Sequence, residues 1–311
     1  MGAARVFVVS GEQWAPPERG ITETRCGNAS MGSYRPLWSW SELMERVRSK
    51  RCRQPFTKPT VSDVLADLPH SATGCDTVAM MSRLSIVVPV LNEAEVIEDL
   101  LHSVSPLRRQ GAEVIVVDGG SSDDTRARAH PLADQVLTAP RGRASQMNAG
   151  AAHASRDILV FLHADTRLRE DAALSMLDQM ARRRAAWGRF DVRVEGRHFL
   201  LPVIAALMNA RSRLTGIATG DQAIFVRRDA FLALGGYSDI PLMEDIELSR
   251  RLKQGARPLC VAERVSTSGR RWEKHGFVRT ILLMWRLRTA YFLGADPRRL
   301  AKRYGYSPRD D

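Results

Sequence analysis

From Leu84 the chain reads LSIVVPV, NEAEVIEDLLHSV, EVIVVDGG, SSDDTRARAH and QVLTA in direct succession, and then ASQMNAGAAHAS and DILVFLHAD. Short β-branched runs without a polar alternation suit strands covered on both faces, and the segments between them carry a helical period. In the first, Ile97, Leu100, Leu101 and Val104 recur at i, i+3, i+4 and i+7. Strand and helix in alternation predict an α/β fold with a parallel sheet. Asn92, with Glu95 three residues on, reads as the capping box of the first helix. WGRFDVRVEG and QAIFVRR read as further strands, with helices around Leu201, Phe231, Ile246 and Leu282.

The segment before this alternation is different. Pro, Ser, Arg, Gly and Trp are scattered through it and only SWSELMERVRSK has a helical pattern. The expected organisation is a poorly ordered extension over residues 1–80, with Met80 and Met81 as alternative starts, a folded domain over 81–295, and a basic tail over 296–311. The four cysteines show no C-x-x-C pairing and no regular interval, so neither a zinc ribbon nor a disulfide framework is indicated and a reducing cytoplasm fits best. FVRTILLMWRLRTAYFLG contains Arg279, Arg286 and Arg288, and each central Arg costs about 2.5–3.5 kcal/mol on insertion, so it is not expected to span a membrane. Ile281, Leu282, Trp285 and Phe292 share one side of that helix, which suits docking on the protein or, less readily, lying on a membrane surface.

A formal charge of +11 favours anionic partners without choosing among nucleotides, lipid headgroups and nucleic acid. Aromatic residues are not clustered for base stacking, which argues against nucleic acid. A dinucleotide-binding sheet would carry a glycine fingerprint after its first strand, where this chain reads PVLNEAE.

Ligands of open parallel sheets lie beyond the carboxyl ends of the strands, where PVLNEAE, DGGSSDDT and HADT come together. Asp118 can accept hydrogen bonds from a base or ribose, or cap the turn that follows it. Asp165 can start a helix, or supply one carboxylate to a hard cation whose other ligands are phosphate and water. Glu244 and Asp245, in LMEDIELSRR, are either first-turn acids of a helix or a catalytic pair.

The ordered set P-x-x-N-E, VDGGSSDDT, FLHADT, GDQAIFVRR, LMEDIELSRRL and SGRRWEKHG, across residues 83–299, resembles the inverting family 2 glycosyltransferases of the GT-A fold. More narrowly it is similar to the radical-SAM/selenodomain-associated glycosyltransferase subfamily. The resemblance implies a mostly parallel central sheet flanked by helices, with a C-terminal helical segment. It implies a nucleoside diphosphate sugar as donor, a hydroxyl-bearing acceptor, and Mg²⁺ or Mn²⁺. It makes Pro89 and Glu93 neighbours of the nucleoside, Asp118 the reader of the base, and Arg141 and Arg143 contacts of ribose or phosphate. Asp165 becomes the metal ligand, Asp245 the general base with Glu244 beside it, and Arg271 and Trp272 the phosphate and acceptor contacts. His163 stands where the family commonly has a first Asp. The runner-up readings are a sugar nucleotidyltransferase, which lacks its Gly-rich phosphate loop here, and a basic non-catalytic protein of a nucleic-acid or membrane surface.

Overall fold

The computed structural model describes residues 77–306. Strand β1 (Leu84–Val90) is buried along its whole length, as are β2 (Glu113–Asp118) and β4 (Ile158–Phe161). β1 pairs in parallel with β2 and β4, and β2 with β3 (Gln135–Thr138). Their carboxyl ends therefore align on one rim of the sheet. Helix α1 (Thr77–Met81) precedes β1 and buries Met81 in the core, so the folded body takes in residues 77–80, ahead of the boundary expected from sequence. Residues 1–76 of the expected extension and 307–311 of the tail lie outside the described residues.

Helix α2 (Ile97–Arg109) buries Ile97, Leu100, Leu101, Val104 and Leu107, the stripe that the sequence period marks. Each such side chain contributes about 1.5–3 kcal/mol when fully buried. The expected capping box does not form: the helix starts at Ile97 behind Val96, with no side-chain cap. Asn92 instead takes a left-handed backbone with φ of 54°, which Asn tolerates better than most residues. After β2 only α3 (Thr125–Ala129) is helical. Helix α4 (Arg143–His153) then returns the chain to β4.

Beyond β4 the sheet becomes mixed. A two-residue strand, β5 (Thr166–Arg167), leads into α5 (Glu170–Arg183), β6 (Trp187–Glu195) and α6 (Leu201–Thr215). Then come a 3₁₀ turn (Gly220–Gln222), β7 (Phe225–Arg227), α7 (Arg228–Ala233) and α8 (Glu244–Gly255). β8 (Leu259–Ser268), which the sequence reading did not predict, pairs in parallel with β6. The sheet order is β3-β2-β1-β4-β7-β6-β8-β5, with β7 antiparallel to β4 and β6, and β5 antiparallel to β8. A register shift between Phe190 and Asp191 skips two β8 residues, and this breaks the alternation that would have revealed the strand.

The chain closes with α9 (Arg270–His275), α10 (Phe277–Phe292) and α11 (Pro297–Tyr304). The last of these corrects the expected tail. Asp296 caps α11 by accepting from the Arg298 amide at 2.9 Å, and Leu300 and Ala301 are buried against Ile217, Leu242, Met243, Ile246 and Leu287. The docked face of α10 is also not the one expected. Leu287 is buried, with Leu283, Met284 and Tyr291 packed in the same cluster, while Leu282, Trp285 and Phe292 are exposed. Among the described residues no helix is long and apolar enough to cross a membrane.

Candidate active site

At the carboxyl rim of β1 and β4 a cavity of about 350 Å³ is walled by Pro89, Glu93, Arg143, His163, Asp165, Asp221 and Trp272, among others. The far wall comes from α6 through Met208, α10 through Met284, and the end of the chain through Tyr304 and Tyr306. Arg141 lies over the Tyr306 ring, 5.6 Å from its centre, so this Arg reaches the rim through an aromatic contact.

The floor is set by hydrogen bonds between loops. Asn92 Oδ1 accepts from the Ser122 amide at 2.8 Å, the Asn92 amide donates to Ser121 Oγ at 2.9 Å, and the Glu93 amide donates to Thr125 Oγ1 at 2.8 Å. These bonds explain why Asn92 leaves the helix start: its side chain ties the loop after β1 to the loop after β2. Gln146, on α4, is buried and donates through Nε2 to the carbonyls of Val90 at 2.7 Å and Val117 at 2.8 Å, locking the ends of β1 and β2 together. A Cβ on Gly119 would come within 3.0 Å of that amide, so Gly119 and Gln146 are matched in shape. Sequence reasoning passed over Gln146, and its place inside an Ala-rich helix gave no sign of this role.

Asp118 faces into its own loop. The side chain is fully buried and accepts from the amides of Gly120 at 3.0 Å and Ser121 at 3.1 Å, and from Ser121 Oγ. It is not among the residues that wall the cavity, and its carboxylate is engaged by its own loop.

Asp165 is placed differently. It lines the cavity, its main chain is held by the Ser268 amide at 3.2 Å, and among the described residues its carboxylate receives only a long contact from Thr166 Oγ1 at 3.4 Å. Burial, and then the Asp165 charge, push the neighbouring Glu93 carboxyl above its ordinary range. A cation relieves that repulsion. Among the described residues no three His, Cys, Asp or Glu side chains form a closed metal site. The donor set fits an open site, with one carboxylate of this chain and oxygen ligands from a bound diphosphate and water.

His163, where a first Asp is common, turns to Asp221 instead. Its Nδ1 lies 3.7 Å from Asp221 Oδ1, an ion-pair distance too long for a hydrogen bond. Burial pulls the imidazole pKa down, but the Asp221 carboxylate outweighs it and the net shift is upward. Burial raises the Asp221 carboxyl, and the imidazole outweighs it in turn, so its net shift is downward. A Cβ on Gly220 would lie 2.2 Å from the ring, so only glycine fits beside this histidine.

Glu244 and Asp245 sit at the start of α8 and have different surroundings. Glu244 is buried with its Oε1 3.4 Å from Arg143 Nε, and it does not reach the cavity wall. The Arg143 guanidinium is held firmly charged, chiefly by Glu244, while burial pushes the Glu244 carboxyl upward against the pull of Arg143. Glu244, next to Asp245 in the chain, thus turns its carboxylate toward Arg143. Asp245 Oδ2 accepts from the Gly220 amide at 2.9 Å and Oδ1 from the Ile246 amide at 2.7 Å, each oxygen retaining a second lone-pair direction. Trp272 lines the cavity and stacks on Phe277 with centroids 6.4 Å apart, whereas the side chain of Arg271 lies outside the described residues.

Sheet, rim cavity and strand-end carboxylate together define a GT-A nucleotide-sugar-transferase type of fold. Residues 85–233 match the family described as Glycosyl transferase family 2, so this part of the chain is similar to that family. Among characterised relatives, poly-beta-1,6-N-acetyl-D-glucosamine synthase of Staphylococcus aureus is 31% identical over 104 residues, 32% of this chain and 25% of that protein. The match thus spans about a quarter of that relative's length. Among solved structures, a mannosyltransferase from Pyrobaculum calidifontis in complex with GDP-Man and Mn²⁺ is 25% identical with a TM-score of 0.50, covering 73% of this chain and 66% of the other. S. aureus TarS 1-349 in complex with UDP-GlcNAc is similar in fold, with a TM-score of 0.51 at 15% identity, covering 60% and 58% of the two chains.

Proposed function

We propose that this protein is a divalent-metal-dependent, inverting glycosyltransferase that moves a sugar from a nucleoside diphosphate sugar to an acceptor hydroxyl. The observation that carries the reading is Asp165, a carboxylate with open lone pairs on the rim cavity of a family 2 domain. The complexes of two fold relatives, one with UDP-GlcNAc and one with GDP-Man and Mn²⁺, support the donor class and the cation.

Pro89 and Glu93 flank the nucleoside end and Asp165 holds the cation, Mg²⁺ or Mn²⁺. That cation, when bound, offsets charge building on the departing nucleoside diphosphate. Arg143, fixed by Glu244, adds a guanidinium that can pair with phosphate oxygens. Asp245 takes the proton of the acceptor hydroxyl as it attacks the anomeric carbon in line, opposite the leaving group. That trajectory inverts the centre, and positioned base catalysis is worth about 10²–10⁴-fold.

The test is thermal unfolding of the full chain across uridine, guanosine, adenosine, cytidine and thymidine diphosphates, with and without Mg²⁺ or Mn²⁺. A rise in midpoint for one or two bases that needs the metal is expected. No rise with any nucleotide sinks the reading and leaves a non-catalytic basic protein.

The protein is also assigned a peripheral contact with an anionic membrane surface. Val203, Leu207 and Leu214 on α6 and Leu282, Trp285 and Phe292 on α10 are exposed, as are Arg279 and Arg286 on α10. An apolar face that carries Trp and Arg suits the headgroup boundary. Co-flotation with vesicles of phosphatidylcholine and phosphatidylglycerol is expected, weakened in Trp285→Ser. Equal recovery with and without vesicles removes the assignment.

A further inference from the structure

Two arginines beside this site form no ion pair among the described residues. On α6, Arg211 follows the cavity residue Met208 by three positions, and on α10, Arg288 follows Met284 by four, so each lies one turn beyond a residue of the cavity wall. Nε and Nη2 of Arg211 are buried and have no hydrogen-bond partner. Neither side chain forms an ion pair or hydrogen bond among the described residues. Their neighbours are treated otherwise: Arg143 pairs with Glu244, and Arg189 and Arg213 both pair with Asp191.

The cost of this arrangement is visible in Arg211. Burial and then the Arg288 charge bring its pKa down to about 10, with Asp245 and Asp221 pulling the other way. The two cations therefore repel each other at a place that also feels the candidate base. Buried guanidinium N–H groups left unmatched are expensive. An anion entering between α6 and α10 would satisfy the free donors and the mutual repulsion together, and Arg presents the fork geometry that matches phosphate or carboxylate.

We propose that Arg211 and Arg288 form an anion subsite for the acceptor, whose phosphate or carboxylate group lies close to the hydroxyl that receives the sugar. This rests on the glycosyltransferase reading of the same cavity. Anchored there, the acceptor presents its hydroxyl to Asp245, while the donor diphosphate is held at Asp165. The site thus separates two anions by using two different sets of positive charge.

The experiment is isothermal titration of the full chain with inorganic phosphate, in saturating nucleoside diphosphate and Mg²⁺, comparing wild type with Arg211→Met, Arg288→Met and Arg211→Lys. Phosphate affinity is expected to fall at least about tenfold in both Met variants and less in the Lys variant, since a charged hydrogen-bonded pair is lost. Nucleotide affinity is expected to stay unchanged. The unfolding midpoint of Arg211→Met without ligand is expected to hold or rise, because an unmatched buried cation has gone. Equal phosphate affinity in all four proteins overturns the proposal, as does a parallel loss of nucleotide affinity or a fall in midpoint that marks Arg211 as structural. If wild type binds no nucleotide, the glycosyltransferase reading fails, and the phosphate titration of the unliganded chain still judges the arginine pair. Glycerol 3-phosphate and phosphatidic-acid vesicles, titrated in parallel, separate a soluble phosphate from a lipid headgroup.

Discussion

Asp245→Asn is expected to lower the rate of sugar transfer by about 10²–10⁴-fold while leaving nucleotide affinity unchanged. The substitution keeps size and shape and removes the proton-accepting charge. Asp245 is not among the residues that wall the cavity, and no donor group is assigned to it, so a binding loss is not anticipated. Some loss of stability is expected, because both carboxylate oxygens accept backbone amides, from Gly220 and Ile246, and one of these will face an NH₂ in the variant. That mismatch costs about 1–3 kcal/mol. Single-turnover transfer at saturating donor, alongside the unfolding midpoint and calorimetric nucleotide affinity, separates chemistry from folding. Wild-type turnover in a folded variant removes Asp245 from the role of base.

Asp165→Asn is expected to act on binding first. Nucleoside diphosphate affinity measured with Mg²⁺ or Mn²⁺ should fall roughly a hundredfold, a loss of about 2.7 kcal/mol, and the difference between metal and chelator should nearly vanish. The fold should survive, since the carboxylate receives only the long Thr166 contact and the main-chain anchor to Ser268 is untouched. Removing one charge from beside Glu93 should also bring that carboxyl back toward its ordinary range, because Asp165 is part of what raises it. Metal dependence equal to that of wild type would place the cation elsewhere and leave Asp165 as a turn residue.

The contrast between these two aspartates and Asp118 shows how far sequence reading reaches. All three follow a recognisable pattern, and Asp118 and Asp165 both sit at strand ends. Asp118 spends its oxygens on Gly120 and Ser121, whereas Asp165 keeps most of its own free. Backbone turn geometry makes that difference, and a motif does not encode which amides will point at a carboxylate. Glu244 and Asp245 are adjacent in the chain, yet one side chain turns to Arg143 and the other to the Gly220 amide. Successive residues at the start of a helix project in different directions, so adjacency predicts different partners.

His163 illustrates the same limit from the other side. Its departure from the family pattern was visible in the sequence, but its partner Asp221 and the glycine that makes room for it lie far along the chain. β8 escaped because a bulge breaks its alternation, and α11 because its arginines hide the two small apolar contacts at Leu300 and Ala301.

The α/β class, the parallel start of the sheet and its carboxyl rim were legible in the sequence, because buried strands and helical stripes are local patterns that repeat. Packing set the rest: which carboxylates remain free, that Gln146 locks β1 to β2, that α11 helps to wall the cavity, and that Arg211 and Arg288 form no ion pair among the described residues. Hydrogen bonds and ion pairs between residues distant in the chain are set by packing. A side chain's chemistry depends on which of them it makes.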